Sequence, residues 1–154
     1  MKRFILFAVL IALACATAAS GGTINGTNGP DNLIGGNQSD TINAFAGADY
    51  VDGKAYRDFI FCGDGDDTCY GHQGADDVSG QGDDDHIYAG CNGSCIAGAG
   101  NQLYGGPGGD TLGADNNFED ELQGGEGNDT CFGDQIDTFV NCELCVIDGS
   151  HFTC

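Results

Sequence analysis

The sequence predicts an all-β solenoid, on three observations. A nonapeptide period runs unbroken from Gly26 to Ala97. The eighth residue of each block is apolar, and the sixth is Asp in nearly all of them, preceded by turn-forming Gly, Asn and Asp. The stretch from Cys62 to Tyr88 shows this most clearly as CGDGDDTCY, GHQGADDVS and GQGDDDHIY. A fixed short period marks a stacked architecture in which each repeat is one unit of a continuous core.

The first 20 residues, MKRFILFAVLIALACATAAS, read as a secretory signal: two cations, an apolar run, and small residues permitting cleavage near Ala18 or Ser20. The apolar run, Phe4 to Ala14, is short for a membrane span. Cys15 follows Ala12-Leu13-Ala14, a loose lipoprotein-box pattern. GGTIN then leads into GTNGPDNLI, GGNQSDTIN, AFAGADYVD, GKAYRDFIF, the three blocks already quoted, and AGCNGSCIA. After these come GAGNQLY, two residues short, then GGPGGDTLG, the longer ADNNFEDELQ, GGEGNDTCF and a degenerate GDQIDTFVN. Three segments result: a leader over 1–20, repeats over 22–141, and a Cys-containing cap over 142–154.

Residues seven to nine of a block alternate out, in, out, the period of a short strand, after six turn residues. The inward column reads Leu33, Ile42, Val51, Ile60, Cys69, Val78, Ile87, Ile96, Leu103, Leu112, Leu122 and Cys131. That column is the expected core. No stretch keeps helical spacing over three turns.

Charge narrows the partners. The formal net charge is -20, with 24 acids, and once Lys2 and Arg3 leave with the signal only Lys54 and Arg57 oppose them. Nucleic acid and anionic membranes would repel such a chain, whereas cations are the expected partner. Regularly spaced Ile, Leu, Val and aromatic residues separate it from a disordered acidic tail.

The blocks GGPGGDTLG and GGEGNDTCF match G-G-x-G-x-D-x-U-x at every fixed position, taking Cys131 as apolar. On these residues the chain, over about Gly26 to Asn141, resembles the RTX family of calcium-binding repeats. The resemblance implies a right-handed parallel β-roll (β-solenoid) with two nonapeptides per turn, about six turns here, and several Ca2+ ions between turns on both edges. Calcium takes six to eight hard oxygens, which turn carbonyls and an Asp carboxylate can supply.

With two blocks per turn, Asp recurs every 18 residues along one edge. One edge would carry Asp31, Asp49, Asp67 and Asp85; the other Asp40, Asp58 and Asp76, then Ser94 where Asp is due, resuming with Asp110 and Asp129. Carboxylates stacked ~4.8 Å apart repel by ~1 kcal/mol in water and ~3 to 4 kcal/mol at an effective dielectric of 20, so folding and calcium binding should be one event. Asp31, Asp40, Asp49, Asp67, Asp76, Asp85, Asp110 and Asp129 are the expected ligands, with Asp58, Asp120 and Asp137 weaker. Asp58 is weakened because Tyr56 replaces the usual Gly and Arg57 lies beside it. Asp64, Asp66, Asp83 and Asp84 are either extra ligands or a solvated acidic surface.

Eight Cys remain beyond the leader: Cys62, Cys69, Cys91, Cys95, Cys131, Cys142, Cys145 and Cys154. An even set in a secreted chain reads as disulfides stapling a thin core. Cys91 with Cys95, Cys131 with Cys142 and Cys145 with Cys154 are candidate pairs, while a small buried hydrophobe is the plainer reading of Cys69 and Cys131. Cys142 and Cys145 also have the spacing of a zinc pair, a rival that an oxidising compartment disfavours.

Tyr70, Tyr88 and Tyr104 recur at outward position nine on what should be one face, a sheet-stabilising ladder or a carbohydrate platform. Ice binding is a further alternative, although position seven forms no Thr row. His72, His86 and His151 share no metal-like spacing. No nucleophile elbow or HExxH occurs. The sequence therefore points to a secreted, monomeric, calcium-dependent structural or interaction module, extracellular, periplasmic or surface-attached, rather than an enzyme.

Overall fold

The computed structural model describes residues 15–17, 21–90, 100–114, 116, 118–147 and 150–152. Among them there is no helix: the chain winds as a solenoid of about six turns between two parallel sheets. The nine-stranded sheet runs β1 (Cys15–Thr17), β3 (Asn32–Ile34), β5 (Tyr50–Asp52), β7 (Thr68–Tyr70), β9 (His86–Tyr88), β11 (Thr111–Gly113), β13 (Thr130–Gly133), β15 (Leu144–Ile147) and β16 (Ser150–Phe152), the last pair antiparallel. The seven-stranded sheet runs β2 (Thr23–Asn25), β4 (Thr41–Asn43), β6 (Phe59–Asp64), β8 (Asp77–Gly82), β10 (Gln102–Gly108), β12 (Glu121–Gly127) and β14 (Thr138–Val140). The backbone of β1, inside the segment read as a leader, pairs with β3.

The nonapeptide writes this architecture directly. Three residues suffice to cross a sheet and six to turn the corner, so successive blocks fall alternately on the two sheets. Position eight pairs with itself up each sheet: Leu33 with Val51, Cys69, Ile87, Leu112 and Cys131 on one, and Ile42 with Ile60, Val78, Leu103 and Leu122 on the other. All of these side chains are fully buried. A second inward column stands at position one, where Ala44, Cys62, Ala89 and Ala114 are also fully buried.

The register corrects the block count between Ala89 and Tyr104. Leu103 pairs directly with Val78, and Leu112 with Ile87, so AGCNGSCIA and GAGNQLY together span one corner and one strand rather than two. Asp76 and Asn101 are accordingly 25 residues apart along an edge where the other turns take 17 to 19. Ile96 and Ser94 fall outside the described residues.

Two disulfides staple the core. Cys62 bonds Cys69, joining position one to position eight across the two sheets, and Cys131 bonds Cys142. All four are disulfide candidates from sequence, with only the second pairing named there, and the two bonds correct the plainer reading of Cys69 and Cys131 as buried hydrophobes. Cys145 is disulfide-bonded as well, which with Cys142 removes the zinc pair. Cys91, Cys95 and Cys154 lie outside the described residues.

Candidate calcium sites

The corner Asp residues from Asp31 to Asp129 are buried, each between 0% and 4% exposed on the two edges, and Asp137 is half-buried. What fixes them is a ladder of hydrogen bonds from main chain to side chain. On the first edge the N–H of Asp31 donates to Oδ1 of Asp49, that of Asp49 to Asp67, Asp67 to Asp85, Asp85 to Asp110 and Asp110 to Asp129. Glu143 caps the series by accepting from the N–H of Asp129. On the second edge the N–H of Asp40 donates to Oδ1 of Asp58, Asp58 to Asp76, Asp76 to Asn101, Asn101 to Asp120 and Asp120 to Asp137.

This ladder corrects the assignment of edges. Asp110 and Asp129 continue the first edge, below Asp85, and do not lie with Asp40 and Asp76. The longer stretch after Ala89 takes one corner where the sequence count allowed two, which exchanges the edges for everything downstream. Asn101, not Ser94, stands where the second edge breaks its run of carboxylates, and its Nδ2 donates to Oδ1 of Asp120 at 2.8 Å. Asp120 and Asp137, read from sequence as weaker candidates, complete that edge.

One oxygen of each carboxylate is thereby used; the other decides the chemistry. Oδ2 of Asp49, Asp58, Asp67, Asp76, Asp85, Asp110, Asp120 and Asp129 is buried without a hydrogen-bond partner. An unsatisfied buried charged oxygen costs several kcal/mol, and here such oxygens recur in files up both edges. At Gly80 and Gly105 the space that a Cβ would fill is faced by Oδ2 of the block's own Asp, Asp85 or Asp110, and by the main-chain oxygen of Gly105 or Gly124 from the next turn. A carboxylate oxygen and a carbonyl oxygen turned towards one region form a hard donor set of the kind calcium takes.

The electrostatics agree with that reading. Burial pushes Asp58 and Asp67 up to about 7, and Asp85 to about 8, against the lowering effect of the main-chain N–H each accepts; neighbouring carboxylates add to the rise. Asp76, Asp110 and Asp137 rise to about 6, again mainly by burial, and Asp49, Asp120 and Asp129 also rise. The Arg57 guanidinium pairs with Asp77 at 2.7 Å and lies over the Phe59 ring, and its charge lowers Asp76 against the rise from burial. Asp64, Asp66, Asp83 and Asp84 are exposed, and Asp84 accepts from the N–H of Gly109.

The Tyr ladder is also redrawn. Tyr70 and Tyr88 stack at 5.2 Å, but Tyr104 lies in β10 on the opposite sheet. Tyr50 and His72 take its place beside Tyr70, at 5.7 and 5.5 Å. Tyr88 and His72 lie nearly parallel to Tyr70 and turn their faces to it, while Tyr50 is tilted by 48°; together they make the arrangement of a sheet-stabilising stack.

A family model for the RTX calcium-binding nonapeptide repeat matches the chain in four copies, over residues 25–60, 44–78, 70–90 and 104–135, together more than half its length. The gap between the last two copies coincides with the stretch where AGCNGSCIA and GAGNQLY break the nonapeptide register. Neither the curated proteins nor the solved structures yielded a match. Repeats of this kind bind several calcium ions per array, and the buried, unpartnered carboxylate oxygens on both edges fit that ion. The chain belongs to the RTX calcium-binding nonapeptide repeat family.

Proposed function

We propose that the chain is a secreted structural or interaction module whose β-roll is assembled by calcium, with the corner Asp carboxylates as the charged ligands. The observation that carries this reading is the file of buried Oδ2 atoms without partners on both edges. Buried carboxylates cannot remain ionised in stacked files without a counter-charge, and Lys54 and Arg57, the two cations beyond the leader, pair with Asp52 and Asp77 instead. Bound calcium would supply the missing positive charge. The protein's part is to hold Oδ1 on the ladder, so that Oδ2 and the turn carbonyls stay aimed at one place.

Secretion rests on the leader-like residues 1–20 and on the disulfides, which persist in oxidising compartments. Among the described residues no helix is long and apolar enough to cross a membrane. A binding role without catalysis follows the habit of the family's repeats, and the corner carboxylates are all engaged in the ladder.

Far-ultraviolet circular dichroism with and without calcium, at fixed ionic strength, tests the reading. The β signal should develop on adding calcium. An identical spectrum and melting temperature in both conditions would sink it.

A further inference from the structure

The corners are of two kinds, and they differ by one peptide orientation. In the corner of Gly26 to Asp31, the N–H of Thr27 at position two donates to Oδ2 of Asp31 at 2.5 Å. In that of Gly35 to Asp40, the N–H of Gly36 donates to Oδ2 of Asp40 at 2.7 Å. In that of Gly133 to Asp137, the N–H of Asp134 donates to Oδ2 of Asp137 at 2.7 Å. These three carboxylates are closed: a main-chain donor of their own turn already satisfies the second oxygen.

Seven other corners are open. Their position-two residues are Phe45, Lys54, Gly63, His72, Gln81, Gly106 and Gly125, every one at positive φ, between 68° and 125°. In the same seven corners Oδ2 of Asp49, Asp58, Asp67, Asp76, Asp85, Asp110 and Asp129 has no hydrogen-bond partner. The two features coincide without exception among the corners whose position two is described. A trans peptide carries its N–H and C=O on opposite sides, so turning the N–H away from the carboxylate turns the position-one carbonyl the other way. Those carbonyls face the position-one residue of the preceding turn on the same edge: Gly71, Gly105 and Gly124 beside the unpartnered Oδ2 of Asp58, Asp85 and Asp110, and Ala44 and Gly53 beside Oδ2 of Asp31 and Asp40, which already accepts from the N–H of Thr27 or Gly36.

The strain makes the pattern informative. Phe45, Lys54, His72 and Gln81 are not glycines, and a left-handed conformation costs such residues ~1–2 kcal/mol each. Four residues of unrelated chemistry share the cost at one repeat position, so the corner geometry rather than the side chain selects it. The closed corners are also placed distinctively. They are the first described corner on each edge and the last described corner on the second edge.

We propose that calcium enters only the open corners, and that the corners of Asp31, Asp40 and Asp137 are calcium-independent caps in which the chain's own N–H takes the ion's place. The proposal rests on the calcium reading above and adds to it which carboxylates are ligands and which are not.

Asp→Asn substitution separates the classes, because Asn keeps the Oδ1 acceptor of the ladder, as Asn101 already does in the native chain. Bound calcium is counted by equilibrium dialysis and elemental analysis in the full chain and in Asp31→Asn, Asp40→Asn, Asp67→Asn and Asp85→Asn. Asp49→Asn and Asp110→Asn serve as substitutes should either interior variant fail to fold in saturating calcium. The interior variants should bind fewer ions than the unsubstituted chain. Asp31→Asn and Asp40→Asn should bind as many, yet melt at lower temperature. Equal loss of ions in both sets overturns the division into two classes while leaving calcium binding intact. An unsubstituted chain that binds no calcium overturns both readings.

Discussion

The main-chain N–H of Asp67 donates to Oδ1 of Asp85, eighteen residues along the chain, at 3.0 Å, while Oδ2 of Asp85 is buried with no partner. The two oxygens of one carboxylate thus have separate tasks. One belongs to the fold, and the other is the oxygen we propose for calcium.

Asp85→Ala and Asp85→Asn should therefore differ even in saturating calcium. Alanine strands the buried N–H of Asp67, a loss of about 1–3 kcal/mol, whereas asparagine retains the acceptor and loses only the charged ligand. Urea unfolding at high calcium measures the difference. Equal destabilisation by the two would show that the ladder bond contributes nothing of its own.

Acid should replace calcium in part. The folded-state pKa values of Asp58, Asp67 and Asp85 lie at about 7 to 8, above the ordinary carboxylate value near 4. The folded chain therefore binds more protons than the unfolded one across that interval, and stability present below pH ~4 is lost as pH rises through about 6 to 8. Calcium-free protein should melt at a higher temperature at pH 5 than at pH 8, and the gain from adding calcium should be smaller at pH 5. Differential scanning calorimetry in chelator reads both; a calcium-free chain that is more stable at pH 8 contradicts the burial of these carboxylates.

Left-handed corner residues that are not glycine offer a stabilising change. Phe45 at φ 80°, Tyr56 at 75° and Gln81 at 84° are all exposed, so their side chains add little core packing. Phe45→Gly, Tyr56→Gly and Gln81→Gly should each raise calcium-loaded stability by ~1 kcal/mol in urea melts. A loss on substitution would place the conformation of these residues elsewhere.

Breaking the Cys62–Cys69 bond should lower stability by about 2 kcal/mol, the value for a short closed loop. The Cys62→Ala, Cys69→Ala pair keeps small apolar groups in both inward columns, so the chain should still fold in calcium. Loss of folding at saturating calcium would give the disulfide a larger share than the ions.

Much of this was written in the period. A nonapeptide with one apolar residue at position eight fixes strand length, corner length and register at once, and Leu33, Val51, Cys69 and Ile87 pair as that spacing requires. The parity of the lower half was not legible. AGCNGSCIA imitates a repeat, with Ile96 at position eight, and only the pairing of Leu103 with Val78 shows that no full rung lies between them. The Cys62–Cys69 bond did leave a signal. Position one reads Gly26, Gly35, Ala44, Gly53, Cys62, Gly71, Gly80 and Ala89, a column of small residues that marks it as inward. The orientation of the position-two peptide left none, since Phe, Lys, His and Gln have no common preference for positive φ.

Thermal unfolding of the chain against free calcium, with magnesium at equal ionic strength as control, tests the central claim most directly. An ion that binds only the folded state stabilises it by RT ln(1 + [L]/Kd) per site, so the melting temperature should climb steeply with the logarithm of calcium activity and hardly at all with magnesium. A melting temperature that is the same in chelator, magnesium and calcium would contradict the account.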